Sequence, residues 1–136
     1  MSHPDGLPDL FIDRSLGRVR VPALLRAAGL RLVTLAERYG IPADENVADH
    51  AWLAEAGRRG EAVFMKDARI RYQPAEKAAI NTHAVRCFCL TSGNLTGDEM
   101  AARFLDNLDA ITLACATQGP FVYAVQRHRI DRLALE

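Results

Sequence analysis

The sequence predicts an α/β protein: a three-layer α/β/α sandwich around a mainly parallel central sheet. Three observations carry this. Short apolar runs alternate with stretches of helical period along the chain, an order that favours parallel strands joined by crossover helices. Two of those runs lead straight into an aspartate, Asp13 and Asp67, as expected where a sheet presents polar groups at its carboxyl edge. The chain has 136 residues, 49% of them hydrophobic and 25% charged, which suits one globular domain. Residues 1–136 are therefore expected to form a single domain, with no repeat, linker or low-complexity segment.

Leu10-Phe11-Ile12 is short, apolar and followed by Asp13, and reads as the first buried strand. Residues 18–29 follow as a helix. Val19, Leu24, Leu25 and Ala28 recur at helical spacing, Pro22 sits in the first turn and Gly29 supplies the stop. Residues 30–35 (LRLVTL) read as the second strand, and residues 37–43, containing Gly40 and Pro42, as a loop. Residues 45–57 read as a helix with Val47, Ala48, Ala51, Trp52 and Ala56 as its apolar stripe and Asp44 as its N-cap.

The third strand, residues 62–65, runs into Lys66-Asp67. A short helix over 74–81 begins with Pro74, and residues 85–90 (VRCFCL) form the fourth strand. Thr96 with Glu99 has the spacing of a capping box. It opens a long helix over 96–119, with Met100, Phe104, Leu108 and Ile111 on one face, that ends at Gly119-Pro120. Leu105, Leu113 and Ala114 add apolar surface beside that stripe, so part of this helix is expected to pack on a second copy or a protein partner. Residues 121–125 form the fifth strand. Residues 129–135 return as its antiparallel partner after a turn at Arg127-His128.

The 17 basic residues balance the 17 acidic ones, which argues against broad charge-driven binding to nucleic acid but leaves room for a local basic rim. No apolar run approaches the roughly 20 residues of a membrane-spanning helix, and the start MSHPDGLPDL lacks the pattern of a secretory signal. Cys87, Cys89 and Cys115 are odd in number, and two alternate inside an apolar run. They read as packing residues in a reducing, cytoplasmic compartment. His3, His50, His83 and His128 lack metal-ligand spacing, and phosphate-loop and dinucleotide fingerprints are absent.

The chemistry-bearing residues are the acids. Asp13 and Asp67 follow strands that point to one sheet edge, and Asp49 borders the apolar stripe of a helix that starts near that edge. Three converging carboxylates repel one another unless a cation neutralises them, and oxygen-only ligands suit Mg²⁺ or Mn²⁺. Ordinary structural roles are also open to each: Asp13 as a turn cap, Asp49 facing solvent, Asp67 in a turn.

Taken in order, Phe11-Ile12-Asp13-Arg14-Ser15-Leu16, then Asp49-His50-Ala51-Trp52-Leu53, then Phe64-Met65-Lys66-Asp67-Ala68-Arg69-Ile70 resembles the PIN-like domains related to VapC-type toxins of bacterial toxin–antitoxin pairs. The segment Leu90-Thr91-Ser92-Gly93-Asn94-Leu95-Thr96-Gly97 also looks like that family's fourth strand end and helix entry. The resemblance implies a PIN-like sandwich and a Mg²⁺- or Mn²⁺-dependent endoribonuclease. Asp13, Asp49 and Asp67 would be its catalytic and metal-holding acids, and Asn94 a further neutral ligand. Arg14, Lys66 and Arg69 flank the acids and are expected to contact the RNA backbone, holding the strand without reading its sequence. A small antitoxin, and in many relatives a second copy, are the implied partners. Two departures stand out. Many relatives carry an acid just before the tryptophan, where this chain has Ala51. Many also use a fourth acid near the fourth strand, where it has only Asn94, with Asp98 in the next helix. They leave open an interaction module that binds RNA or an antitoxin without cutting. A receiver-like signalling domain and an aspartate-based phosphotransferase fit less well. Arg14 and Ser15 stand where those classes need a second acid, and Arg127 where a receiver needs lysine.

Overall fold

Side-chain alternation along the strands sorts the core into two layers. In the computed structural model, which describes residues 2–135, the strands are β1 (Leu10–Ile12), β2 (Leu32–Thr34), β3 (Ala62–Lys66), β4 (Arg86–Leu90), β5 (Phe121–Val125) and β6 (Ile130–Leu133). They form a six-stranded sheet in the order β2-β1-β3-β4-β5-β6, parallel throughout except for the antiparallel pair β5–β6. The expected sandwich and its C-terminal hairpin are both present. Six helices cover the sheet: α1 (Arg20–Ala27), α2 (Leu35–Tyr39), α3 (Asp49–Arg58), α4 (Pro74–Thr82), α5 (Gly97–Asp106) and α6 (Leu108–Ala114).

Leu10, Ile12, Phe64, Phe88, Leu90 and Phe121 face α1, α5 and α6, where Phe64 stacks on Phe104 at 4.2 Å between ring centroids. Phe11, Val63, Met65, Cys87, Cys89 and Val122 face α3 and α4, where Phe11 stacks on Trp52 at 5.3 Å. This two-residue period is a local property of extended chain. Gly57 lets α3 approach α4, because a Cβ there would lie 2.6 Å from the His83 carbonyl oxygen. Away from the carboxyl edge, Arg38 of α2 makes a bidentate pair with Glu61 at 2.8 and 2.5 Å and lies over the Phe11 ring.

Three element readings are corrected. The strand expected over 30–35 stops at Thr34, and the expected loop over 37–43 begins inside a helix. Thr34 Oγ1 accepts from Glu37 N at 3.1 Å while Glu37 Oε1 accepts from Thr34 N at 2.9 Å, so a capping box starts α2 at once. Secondly, Asp44 does not cap the helix carrying Trp52. It is buried within a 3₁₀ turn (Ala43–Asn46) and accepts from Arg18 at 2.8–3.0 Å, and the helix starts later, at Asp49.

The third correction concerns the helix expected over 96–119. It breaks at Asn107, whose buried amide donates to the Arg103 and Gln126 carbonyls, both at 2.8 Å. Asparagine side chains compete in this way with helix hydrogen bonds. Phe104, Leu108 and Ile111 still pack into one core layer on either side of the break, and Leu113 is 76% exposed. Among the described residues no helix is long and apolar enough to cross a membrane.

Candidate active site

The chain leaves β1 toward β2 on one side, and β3 pairs with β1 on the other, so the order reverses between β1 and β3. The crevice beyond the carboxyl ends at such a switch point is where open α/β sheets bind ligands. Asp13 follows β1 and Asp67 follows β3. Asp13 extends the alternation that places Phe11 on the α3 face, Asp67 follows Met65 and Lys66 in a positive-φ turn, and the first residue of α3 is Asp49. The three acids line one cleft of about 620 Å³, together with Arg14, Ser15, Lys66, Arg69 and Tyr72.

Asp13 is 5% exposed. Its Oδ2 accepts from the Ser15 backbone N–H at 3.2 Å, while its buried Oδ1 has no hydrogen-bond partner among the described residues. Burial pushes the Asp13 carboxyl above the usual aspartate range. The Asp49 charge adds to the rise, and the hydrogen bonds at Ser15 oppose it. An orphaned, buried carboxylate oxygen that also feels a second carboxylate's charge is costly unless a cation or proton neutralises it.

Asp49 is half-exposed. Its Oδ1 accepts from Trp52 Nε1 at 3.0 Å and lies 3.4 Å from Arg14 Nη2. Arg14 also donates to the Asp44 carbonyl at 2.7 Å and the Val47 carbonyl at 3.3 Å, fixing the chain just before α3. Trp52 is fully buried, as its stripe position implies, but its indole N–H also orients Asp49. That role had a local signal in the three-residue spacing, which puts the two side chains on one helix face.

Asp67 has positive φ (74°), a conformation that costs a non-glycine residue of order 1–3 kcal/mol. Its N–H donates to the Leu90 carbonyl at 2.8 Å and its Oδ1 accepts from Arg69 N at 2.9 Å. The Arg69 guanidinium engages both Asp67 oxygens and holds its carboxyl below the usual range. Arg69 is thus turned onto an acid rather than standing free on the rim. Lys66 makes no ion pair among the described residues, and its backbone N–H donates to Ser15 Oγ at 3.0 Å.

Asn94 is exposed between β4 and α5 and lines neither this cleft nor the one beside it. Asp98 pairs with Arg20 on the surface, and Ala51 points to solvent. Ser15 and Tyr72 are cleft residues to which the sequence reading gave no role at the site. Ser15 had a signal in its place two residues beyond a strand-end aspartate. Tyr72 had none.

Among the described residues no group of three Asp, Glu, His or Cys side chains converges tightly enough to hold one metal ion as it stands. The donor chemistry nevertheless fits a hard divalent cation: carboxylate oxygens only, one of them buried and without a partner.

A family model described as "PIN like domain" matches residues 8–92, which carry Asp13, Asp49 and Asp67. The chain is also 40% identical over 127 residues, 93% of its own length and 92% of the relative's, to the "Putative ribonuclease VapC45" of Mycobacterium tuberculosis. This chain is a VapC-type PIN-like domain. No solved structure matches it. In this PIN-like domain the match spans the four strands β1–β4 and the three segments that supply the acids, and ends before α5.

The burial of Asp13 has a measurable consequence. Its folded-state pKa lies above the unfolded value of about 3.9. The native state therefore loses stability as pH rises through the folded pKa and regains it as pH falls toward 3.9. Asp13→Asn should melt higher than the wild type at pH 7 without divalent cation, and the gap should shrink toward pH 4. Melting curves across that range check this; equal melting temperatures throughout would show that the carboxylate carries no such penalty.

Proposed function

We propose that this PIN-like domain is a Mg²⁺- or Mn²⁺-dependent endoribonuclease, acting in the cytoplasm as the toxin of a toxin–antitoxin pair. The observation that carries the reading is the orphaned Oδ1 of Asp13, buried beside Asp49 in the cleft at the β1–β3 switch point. The printed name of the mycobacterial relative, a ribonuclease, supports the reaction class. Asp13, Asp49 and Asp67 would hold the cation. A divalent cation there would supply positive charge to the phosphodiester and acidify the attacking water.

The chain's own residues do the rest. The Trp52 indole fixes the Asp49 carboxylate, and Arg14 anchors the entry to α3 so that Asp13 and Asp49 keep their relation. Lys66 offers a free ammonium to an RNA phosphate. Arg69 can pass from Asp67 to a phosphate, freeing the third acid as substrate arrives. The partners are single-stranded or structured RNA, a small antitoxin protein and a second copy of the chain; Leu113 is the large apolar side chain left exposed on α6 for a protein partner.

A second reading, a binding module that does not cut, is favoured by one observation: Arg69 already occupies both oxygens of Asp67. One experiment separates the two. Purified protein is incubated with a panel of cellular RNAs in Mn²⁺, with EDTA and with an identically prepared Asp67→Asn variant as controls. Cleavage by the wild type that EDTA stops and the variant lacks is expected. Equal degradation by both proteins, or none by either, replaces the enzyme with the binding module.

A further inference from the structure

The acid cleft has a neighbour. A second cleft of about 520 Å³ shares Lys66, Asp67, Arg69 and Tyr72 with it and continues past Arg71 to Leu90, Thr91 and Ser92. Tyr72 stands where the two meet, 67% exposed, an unusual position for a large ring. It is nevertheless held. The Arg71 guanidinium carbon lies 4.1 Å from the centre of its ring, and Arg71 Nη1 donates to Tyr72 Oη at 2.6 Å. The 3₁₀ turn that carries it (Ala68–Tyr72) is pinned to the core by the buried Ala68 and Ile70. Tyr72 is thus an ordered aromatic with an open face, on a support that begins at Asp67. Beyond it lie hydroxyls and a half-buried cation.

We infer that Tyr72 is a stacking platform for one base of single-stranded RNA, with the second cleft as the subsite for the nucleotide next to the phosphate held at the acids. The inference rests on the ribonuclease reading. Single-strand binders combine a cationic track for the backbone with aromatic rings for the bases. Lys66 and Arg69 lie on the wall between the clefts and would carry the phosphate, while Tyr72 takes the base. The ring accepts any base face, so it positions the strand without dictating sequence. Thr91 and Ser92 offer hydroxyls to the base edge and are where a preference would arise. Tyr72 is a positioning residue, since it touches the substrate away from the scissile bond.

The test uses a short labelled oligoribonucleotide and a set of copies with one abasic sugar moved along it. Binding is read by fluorescence anisotropy in EDTA at low salt, and cleavage in Mn²⁺. Wild type should lose roughly tenfold or more in affinity for one abasic position, the usual effect of removing a single stacked base. Tyr72→Ala should bind the intact strand about that much more weakly and no longer distinguish it from that abasic copy. Tyr72→Phe should retain the discrimination, because it loses only the Oη contact. In cleavage, Tyr72→Ala should raise KM far more than it lowers kcat. If Tyr72→Ala binds and discriminates as the wild type does, the platform is wrong while the ribonuclease reading stands, and the exposed ring becomes a protein contact. If the wild type neither binds nor cuts any oligonucleotide, both fall together.

Discussion

Asp13→Asn is expected to lose roughly a hundredfold or more of the Mn²⁺-dependent cleavage rate, the scale on which removing one preorganised charge-stabilising group acts. The substitution keeps shape and the Ser15 N–H contact but replaces the orphaned carboxylate oxygen with a neutral group. Two measurements make the expectation specific. Calorimetry with Mn²⁺ should show binding to the wild type and little to the variant. In the absence of metal, the variant should be at least as stable at neutral pH, since the charge it removes is a buried one. An inactive variant that is also unstable would point to a structural role for Asp13 instead. A variant with wild-type cleavage would remove Asp13 from the site altogether.

Trp52 should couple stability to the site. Its side chain is fully buried and stacked on Phe11, so Trp52→Ala should cost about 3–5 kcal/mol in urea unfolding. Trp52→Phe is the more informative change. It keeps an aromatic ring against Phe11 and removes the N–H that donates to Asp49 Oδ1. The loss should be smaller in stability, roughly 1–3 kcal/mol. Mn²⁺ affinity should fall about tenfold to a hundredfold, as when a group that orients a metal ligand is removed. Trp52→Phe with unchanged Mn²⁺ affinity would reduce Trp52 to a packing residue and leave Asp49 oriented by Arg14 alone.

Much of the site was legible because its signals are local. Asp13 shares parity with Phe11 in extended backbone, so strand alternation directs it toward the α3 face; Asp67 shares parity with Met65 but enters the cleft from a positive-φ turn at the end of β3. Asp49 and Trp52 are three apart on one helix, close enough to meet whatever the rest of the chain does. Thr34 and Glu37 have the same capping-box spacing as Thr96 and Glu99, but α2 lasts only Leu35–Tyr39, too short to show a helical apolar pattern beside the cap.

The sequence by itself determined the order of the six strands, the three-layer sandwich with its closing hairpin, and the acids that reach its carboxyl edge. These follow from periodicities of two and about 3.6 residues, which each segment carries within itself. Only the tertiary structure decided that Arg18 buries Asp44, that Asn107 bonds Gln126 and breaks a helix, that Arg69 covers Asp67, and that Tyr72 joins two clefts. The two long-range contacts depend on which groups the folded sheet brings within hydrogen-bonding distance across gaps of 19 and 26 residues. Even the Arg69–Asp67 pair, two residues apart, forms on a backbone of positive φ at Asp67, whose N–H is tied to Leu90 of the neighbouring strand. A long polar side chain chooses its partner from what the assembled backbone places within reach, and adjacency in sequence does not encode that choice.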